Sequence, residues 1–229
     1  MDETAEKLLR AYQRQELRFQ ERRFPLHFLP ESPVIRELYS QTKALHWDPE
    51  TEIDWDRFDP AAWDHEAREA GRLVWSRRAW SVYPGLGENT ALLVRFCLES
   101  GAQGMDSKLL LSYRPTEEAK HLEVCHMLAE RLGGYVANPS DETLSRALNH
   151  PFAQMALDPQ VPVEAYVTAL GCLDDQLDLN LYLGHLQRTK HRAIREVLRL
   201  IAGDKQRHVL FAWSLLAPPR PTTAFLISR

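Results

Sequence analysis

Two acid–imidazole pairs at helical spacing are the residues in this sequence best suited to chemistry: Glu118 with His121, and Asp204 with His208. A carboxylate and an imidazole one turn apart bring an oxygen and a nitrogen to the same point, and together they can hold one metal ion. A further Glu-x-x-His, Glu123 with His126, begins five residues after the first and points elsewhere on a helix, so only one of the two pairs can face a core. Periodicity selects the first. Glu118, His121, Cys125, Leu128 and Leu132 recur at spacings of three and four, the pattern of a buried seam, whereas Glu123, His126 and Glu130 fall on a solvated face. Taken alone, an acid and a histidine closing a core stripe where a helix meets water give the same pattern, so other helices must decide.

Those helices supply matching groups. Glu88 opens a nearly apolar segment running to Leu98, where it serves either as a helix-terminal charge or as a ligand. A helix over Val163 to His185 has the seam Val167, Leu170, Asp174, Leu177, Leu181 and Gly184, which places Asp174 among aliphatic neighbours. A carboxylate there requires a partner. Asp175 and Asp178 flank it and read as solvated, with Asp175 kept as the other candidate from this helix. A last helix over Arg192 to Leu216 aligns Val197, Ile201, Asp204, His208, Phe211 and Leu215, again with an acid and a histidine facing inward. Glu88 and Glu118 are 30 residues apart, as are Asp175 and Lys205, the interval expected of two helix hairpins related by a pseudo-twofold axis.

The elements that position these groups make an all-α chain. Its 229 residues, 44% hydrophobic and without a linker-like tract, suffice for one core and predict a single domain. Residues 1–60 form a peripheral extension, 61–216 a helical bundle and 217–229 an extended tail. In the extension, residues 2–22 read as an amphipathic helix and Pro25, Pro30 and Pro33 as an extended connector. A short helix follows over Val34 to Ala44, then an acidic loop pinned by Trp47 and Trp55. The stretch around Pro84 is either a kink in a long helix or a break, Gly101 and Gly104 are compatible with continued helix, and Gly133-Gly134 is a stop. A net charge of −4 and a pI near 6.1 argue against nucleic acid or membrane surfaces as partners. The charged first residues, the absence of a bilayer-length apolar run and three unpaired cysteines in apolar contexts point to a cytoplasmic protein.

On these residues the chain resembles the ferritin-like di-iron carboxylate superfamily, in particular its oxygenase branch of multicomponent monooxygenase hydroxylases and arylamine N-oxygenases. Gly87-Glu-Asn-Thr-Ala91 is similar to the first-ligand helix of those hydroxylases. Glu117-Glu-Ala-Lys-His121 resembles their first Glu-x-x-His, and Asp204-Lys-Gln-Arg-His208 their Asp-Glu-x-Arg-His. The tryptophan-bracketed loop from Trp47 to Trp55 has a counterpart upstream of that bundle, and the likeness spans most of residues 45–215. It implies a ferritin-like four-helix bundle and an iron cofactor, two ions or one, that activates O2 to oxidise a small, partly apolar substrate. Glu118 would bridge, Glu88 would be a terminal ligand, His121 and His208 nitrogen ligands, and Asp174 or Asp175 the third-helix acid. Asp204 would ligate or orient a histidine. An electron-donor protein and a homodimeric assembly are further partners the resemblance admits. It also exposes a departure: Lys205 stands where the family has a metal-binding Glu, and an ammonium cannot ligate. Either Asp204 substitutes while Lys205 swings outward, or fewer ligands hold a weaker site, or Lys205 takes the missing cation's place beside Glu88 and Glu118, as in metal-free ribonucleotide reductase small subunits. The last outcome gives the alternative function, a metal-poor or metal-free scaffold or interaction protein.

Overall fold

The computed structural model describes residues 32–99, 104–138, 141–148, 152–158 and 160–217. The amphipathic helix expected over 2–22, Gly101, and the tail beyond Ala217 lie outside the described residues. Helix α1 (Pro33–Ala44) starts where Ser32 Oγ accepts the Ile35 amide and Pro33 supplies a first-turn residue with no amide to satisfy. After a loop with short 3-10 turns, α2 (His65–Glu99) continues past Pro84, so of the two alternatives the structure has one long helix rather than a break. Glu88 therefore lies well inside a helix rather than at its start.

Gly104, at φ 72°, ends the idea of unbroken helix through this stretch and sets up α3 (Met105–Leu111). Helix α4 (Arg114–Arg131) carries Pro115 in its first turn and stops at Gly133 and Gly134, whose φ values of 124° and 111° suit glycine. Short α5 (Glu142–Leu148) and α6 (Phe152–Leu157) lead to α7 (Val163–Val167), which passes without a break into a π-helical turn (Thr168–Asp174) and then α8 (Asp175–Arg188). Helix α9 (Arg192–Leu216) closes the bundle.

Helix α2 lies along α4 and α8 along α9, with α4 meeting α9, so the two hairpins face each other. Two apolar clusters bracket the polar residues of α4 and α9. One gathers Trp75, Val124, Leu128, Val197 and Ile201 under Trp47, Ile53 and Phe58 of the loop. The other gathers Leu92, Phe96, Leu111, Tyr166, Leu170 and Phe211. The loop tryptophans do pin it: Trp47 is buried in the first cluster, and Trp55 packs against that cluster under the Arg131 guanidinium.

The π turn corrects the third seam. A π turn inserts one extra residue and rotates everything after it by one position. Val167 and Leu170 face the core as expected, but beyond the turn the buried positions are Asp175, Leu179 and Tyr182. Leu177 and Leu181, placed in the seam by simple periodicity, are 64% and 60% exposed, and Asp174 is exposed as well. Gly171 lets the turn press against α9, where an added Cβ would overlap Ala212 Cβ.

Candidate metal centre

The α4 seam is buried as the spacing predicts: Glu118, His121, Cys125, Leu128 and Leu132 are at most 1% exposed. On α9, Asp204, Lys205 and His208 point inward with Val197, Ile201 and Phe211. The donor atoms of Glu118, Asp175 and His208 lie within 4.8 Å of one another, one from each of α4, α8 and α9. Asp175, not Asp174, is thus the third-helix acid of the cluster. Gly85 of α2 makes room for it: a Cβ there would stand 3.2 Å from the Glu118 carboxylate.

Each imidazole is oriented by a carboxylate. His121 donates from Nε2 to Asp204 Oδ2 at 2.9 Å, and His208 from Nε2 to Glu117 Oε2 at 2.7 Å. An ionised carboxylate only accepts, so both Nε2 atoms carry protons and each Nδ1 is the nitrogen left to face the cluster. His121 Nδ1 lies 3.4 Å from Glu118 Oε2, and His208 Nδ1 lies 3.5 Å from Glu118 Oε1 and 3.8 Å from Asp175 Oδ1. Both Nδ1 atoms and Glu118 Oε2 are buried without a hydrogen-bond partner. Two imidazole nitrogens converging on one carboxylate, each backed by a second carboxylate, is the donor set that transition-metal sites use. On that ground the residues fit a metal ion.

Lys205 modifies the fit. Its Nζ donates to Glu118 Oε1 and Asp175 Oδ1, both at 3.0 Å, and pairs with Asp178 Oδ2 at 3.2 Å. The ammonium therefore does not swing outward, and its partners are Glu118, Asp175 and Asp178 rather than the pair Glu88 and Glu118. Four buried carboxylates, Glu117, Glu118, Asp175 and Asp204, face four buried cations, Arg114, Lys120, Lys205 and Arg207. Arg114 bonds Asp175 at 2.5 Å, Arg207 bonds Glu117 at 2.8 Å and also pairs with Asp204, and Lys120 lies 3.8 Å from Asp204. This balance sets the titration. Burial raises the Glu118 carboxyl, yet the Lys205 charge and the nearby His121 and His208 imidazoles hold it well below the usual range. Burial likewise works against the charged Lys205, and Glu118, Asp175 and Asp178 more than offset it, so the ammonium stays protonated. For His208, burial and Arg114 oppose the proton, but the surrounding carboxylates of Asp175, Glu117 and Glu118 raise it to about 10.

The remaining expected residues separate into two kinds. Asp204 is a hub rather than part of the converging set: besides His121 it accepts from Trp47 Nε1 at 2.9 Å, and Trp47 stacks on the His121 ring with centroids 6.2 Å apart. Glu88 is half-buried; its backbone carbonyl accepts from the Tyr166 hydroxyl at 3.2 Å, but its carboxylate has no hydrogen bond or ion pair among the described residues and falls outside the group of converging donors. Burial and the charges of Asp174 and Glu118 push its carboxyl up to about 7. Glu88 and Asp174 instead line a cavity of about 380 Å³ with Leu148, Phe152, Leu173 and Leu177. Arg114 and Asp178 carry much of the network without standing out in the sequence. Glu117 and Arg207 were the legible ones, since each lies inside an acid–histidine motif.

Four helices in two hairpins around a buried carboxylate–histidine cluster define the class: the fold is the ferritin-like helical bundle. Among solved structures the chain is similar to an R2-like ligand-binding oxidase with an aerobically reconstituted Mn/Fe cofactor, determined as a tyrosine-to-phenylalanine mutant. The match has a TM-score of 0.62 at 14% identity and covers 80% of this chain and 71% of that one. No protein-family model matches the sequence, and no curated protein matches it. No helix among the described residues is long and apolar enough to cross a membrane.

Proposed function

We propose that this protein is a metal-dependent oxidase or oxygenase of the ferritin-like class, acting on a small, partly apolar substrate at the cluster of Glu118, His121, Asp175 and His208. The observation that carries this reading is the pair of buried imidazoles with Nε2 tied to carboxylates and Nδ1 unpartnered toward Glu118. An iron or manganese ion held there would supply reductive activation of O2. The chain's own residues would bind, orient and dry the site. Asp204 and Glu117 fix the tautomers of the two histidines, while Val124, Cys125, Ile201 and Phe211, each at most 1% exposed, exclude water. The cavity beside Glu88 offers apolar walls from Leu148, Phe152, Leu173 and Leu177 for the substrate body. The hydrogen-bonded series Trp47, Asp204 and His121 joins the cluster to a second cavity of about 320 Å³ near His46 and Arg199, which suits an electron-donor protein.

The test is spectroscopic and catalytic together. Anaerobic Fe(II) or Mn(II)/Fe(II) loading followed by air should give a visible absorption band and consume O2, and His121→Ala should abolish both. Protein that binds neither metal from an excess, with no O2 uptake, would refute the proposal.

A second reading has its own observation. Lys205 lies within 3.2 Å of three carboxylates, so the same bundle could serve as a metal-free scaffold whose charge is neutralised internally. Metal content of protein expressed with abundant iron and manganese separates the two.

A further inference from the structure

Resting on the metal-dependent reading above, we propose that the bundle takes a single divalent transition-metal ion, bound on the His121 side of Glu118. The Lys205 ammonium then fills the second cation position permanently.

Glu118 is the pivot, because its two oxygens face different surroundings. Oε1 accepts from Lys205 Nζ at 3.0 Å, on the side of Asp175 and His208. Oε2 has no hydrogen-bond partner although it is buried, and it stands 3.4 Å from His121 Nδ1, which is also buried and unpartnered. An oxygen and a nitrogen at that separation match two ligands on one ion, since both can lie about 2.0–2.2 Å from a common centre. The Glu88 carboxylate, one turn from Gly85 on the same face of α2, is half-buried and without a partner among the described residues but stands outside the converging group, so Glu118 and His121 are the two protein donors of this position.

The opposite side is already served. The tightest convergence of donors, Glu118, Asp175 and His208, is the one Lys205 enters, with Nζ 3.0 Å from both Glu118 Oε1 and Asp175 Oδ1. A metal bound to those same oxygens would sit against the ammonium, and like charges at that distance in a buried site repel strongly. Asp178 adds a third carboxylate to Lys205 at 3.2 Å, and Arg114 holds Asp175 from its other oxygen, so the lysine has a complete set of acceptors. The Glu-to-Lys departure is therefore a substitution of one cation by another, confined to half of the site.

The experiment uses the full-length protein, stripped with chelator, loaded with Mn(II) alone and desalted, with metal content and electron paramagnetic resonance as readouts. The expected result is one Mn(II) per chain with the six-line spectrum of an isolated ion. Lys205→Glu should bind two ions, seen as a doubled metal content and an exchange-coupled spectrum. His121→Ala should lose stoichiometric binding and His208→Ala keep it, with circular dichroism confirming the fold; if His121→Ala does not fold, His121→Gln serves in its place. Two ions in the unmodified protein, one ion in Lys205→Glu, or an ion that depends on His208 but not His121 would each overturn this inference while leaving the metal-dependent reading standing. No metal in the unmodified protein would overturn both, whether or not Lys205→Glu gains it.

Discussion

Replacing Lys205 with Met should destabilise the metal-free protein by about 3 kcal/mol, near the lower end of the roughly 3–5 kcal/mol expected when one partner of a buried ion pair is removed. The structure sets the position within that range. Methionine refills most of the volume, so little of the loss comes from a cavity. Asp175 keeps its bond from Arg114 at 2.5 Å, whereas Glu118 loses its only hydrogen-bonded cation and retains just the two imidazoles at 3.4 and 3.5 Å. The uncompensated charge is thus Glu118, softened by the proton on His208. For a chain of this size the loss corresponds to a fall in Tm of about 6–12 °C.

Two controls tie the loss to charge. Adding Glu118→Gln to the Lys205→Met protein removes the stranded carboxylate and should recover at least half of the lost stability, a coupling of about 1.5 kcal/mol or more. The pH dependence follows from the direction of the Glu118 shift. In the parent its folded pKa is depressed, so the pair's contribution is present above the unfolded carboxylate range and fades as pH falls through the folded value. In the variant the folded pKa is raised instead, so lowering the pH toward 5 relieves the stranded charge and the gap to the parent narrows. Urea denaturation with chelator present, followed by far-UV circular dichroism at pH 5, 7 and 8, measures all of this. A loss below about 1 kcal/mol at pH 7, or a double variant no more stable than the two losses summed, would refute the assignment of Lys205 as the counter-charge of Glu118.

The π turn predicts opposite outcomes for neighbouring acids. Asp175→Asn should cost about 3 kcal/mol because Lys205 and Arg114 both lose a buried carboxylate, while Asp174→Asn should stay within about 0.5 kcal/mol; thermal melts of the two variants decide it. Gly171→Ala should destabilise by about 1–3 kcal/mol through overlap with Ala212, and Ala212→Gly in the same chain should restore part of it. Metal loading should release protons and strengthen with rising pH. Burial opposes the His121 proton, but Asp204 and Glu118 outweigh it and raise the imidazole above its ordinary value, so a metal ion competes with a proton there. A weakly buffered Mn(II) titration with an indicator dye should therefore acidify at neutral pH.

What the sequence determined by itself is the part written in helical period. The inward faces of α4 and α9 follow directly from Glu118, His121, Cys125, Leu128 and from Val197, Ile201, Asp204, His208, because an uninterrupted helix repeats every 3.6 residues and a burial pattern can be read from it. The bundle class and the odd position of Lys205 were legible only through the resemblance of those motifs to a known superfamily. Only the tertiary structure decided between Asp174 and Asp175, since a one-residue π insertion leaves no mark in a stretch where leucines occupy both candidate faces, Leu177 and Leu181 on one and Leu179 on the other. Tertiary structure also decided which charges neutralise which. The network of Lys205, Asp178, Arg114, Glu117 and Arg207 joins α4, α8 and α9 across long stretches of chain, and electrostatic partners depend on distances in space that spacing along a chain does not encode.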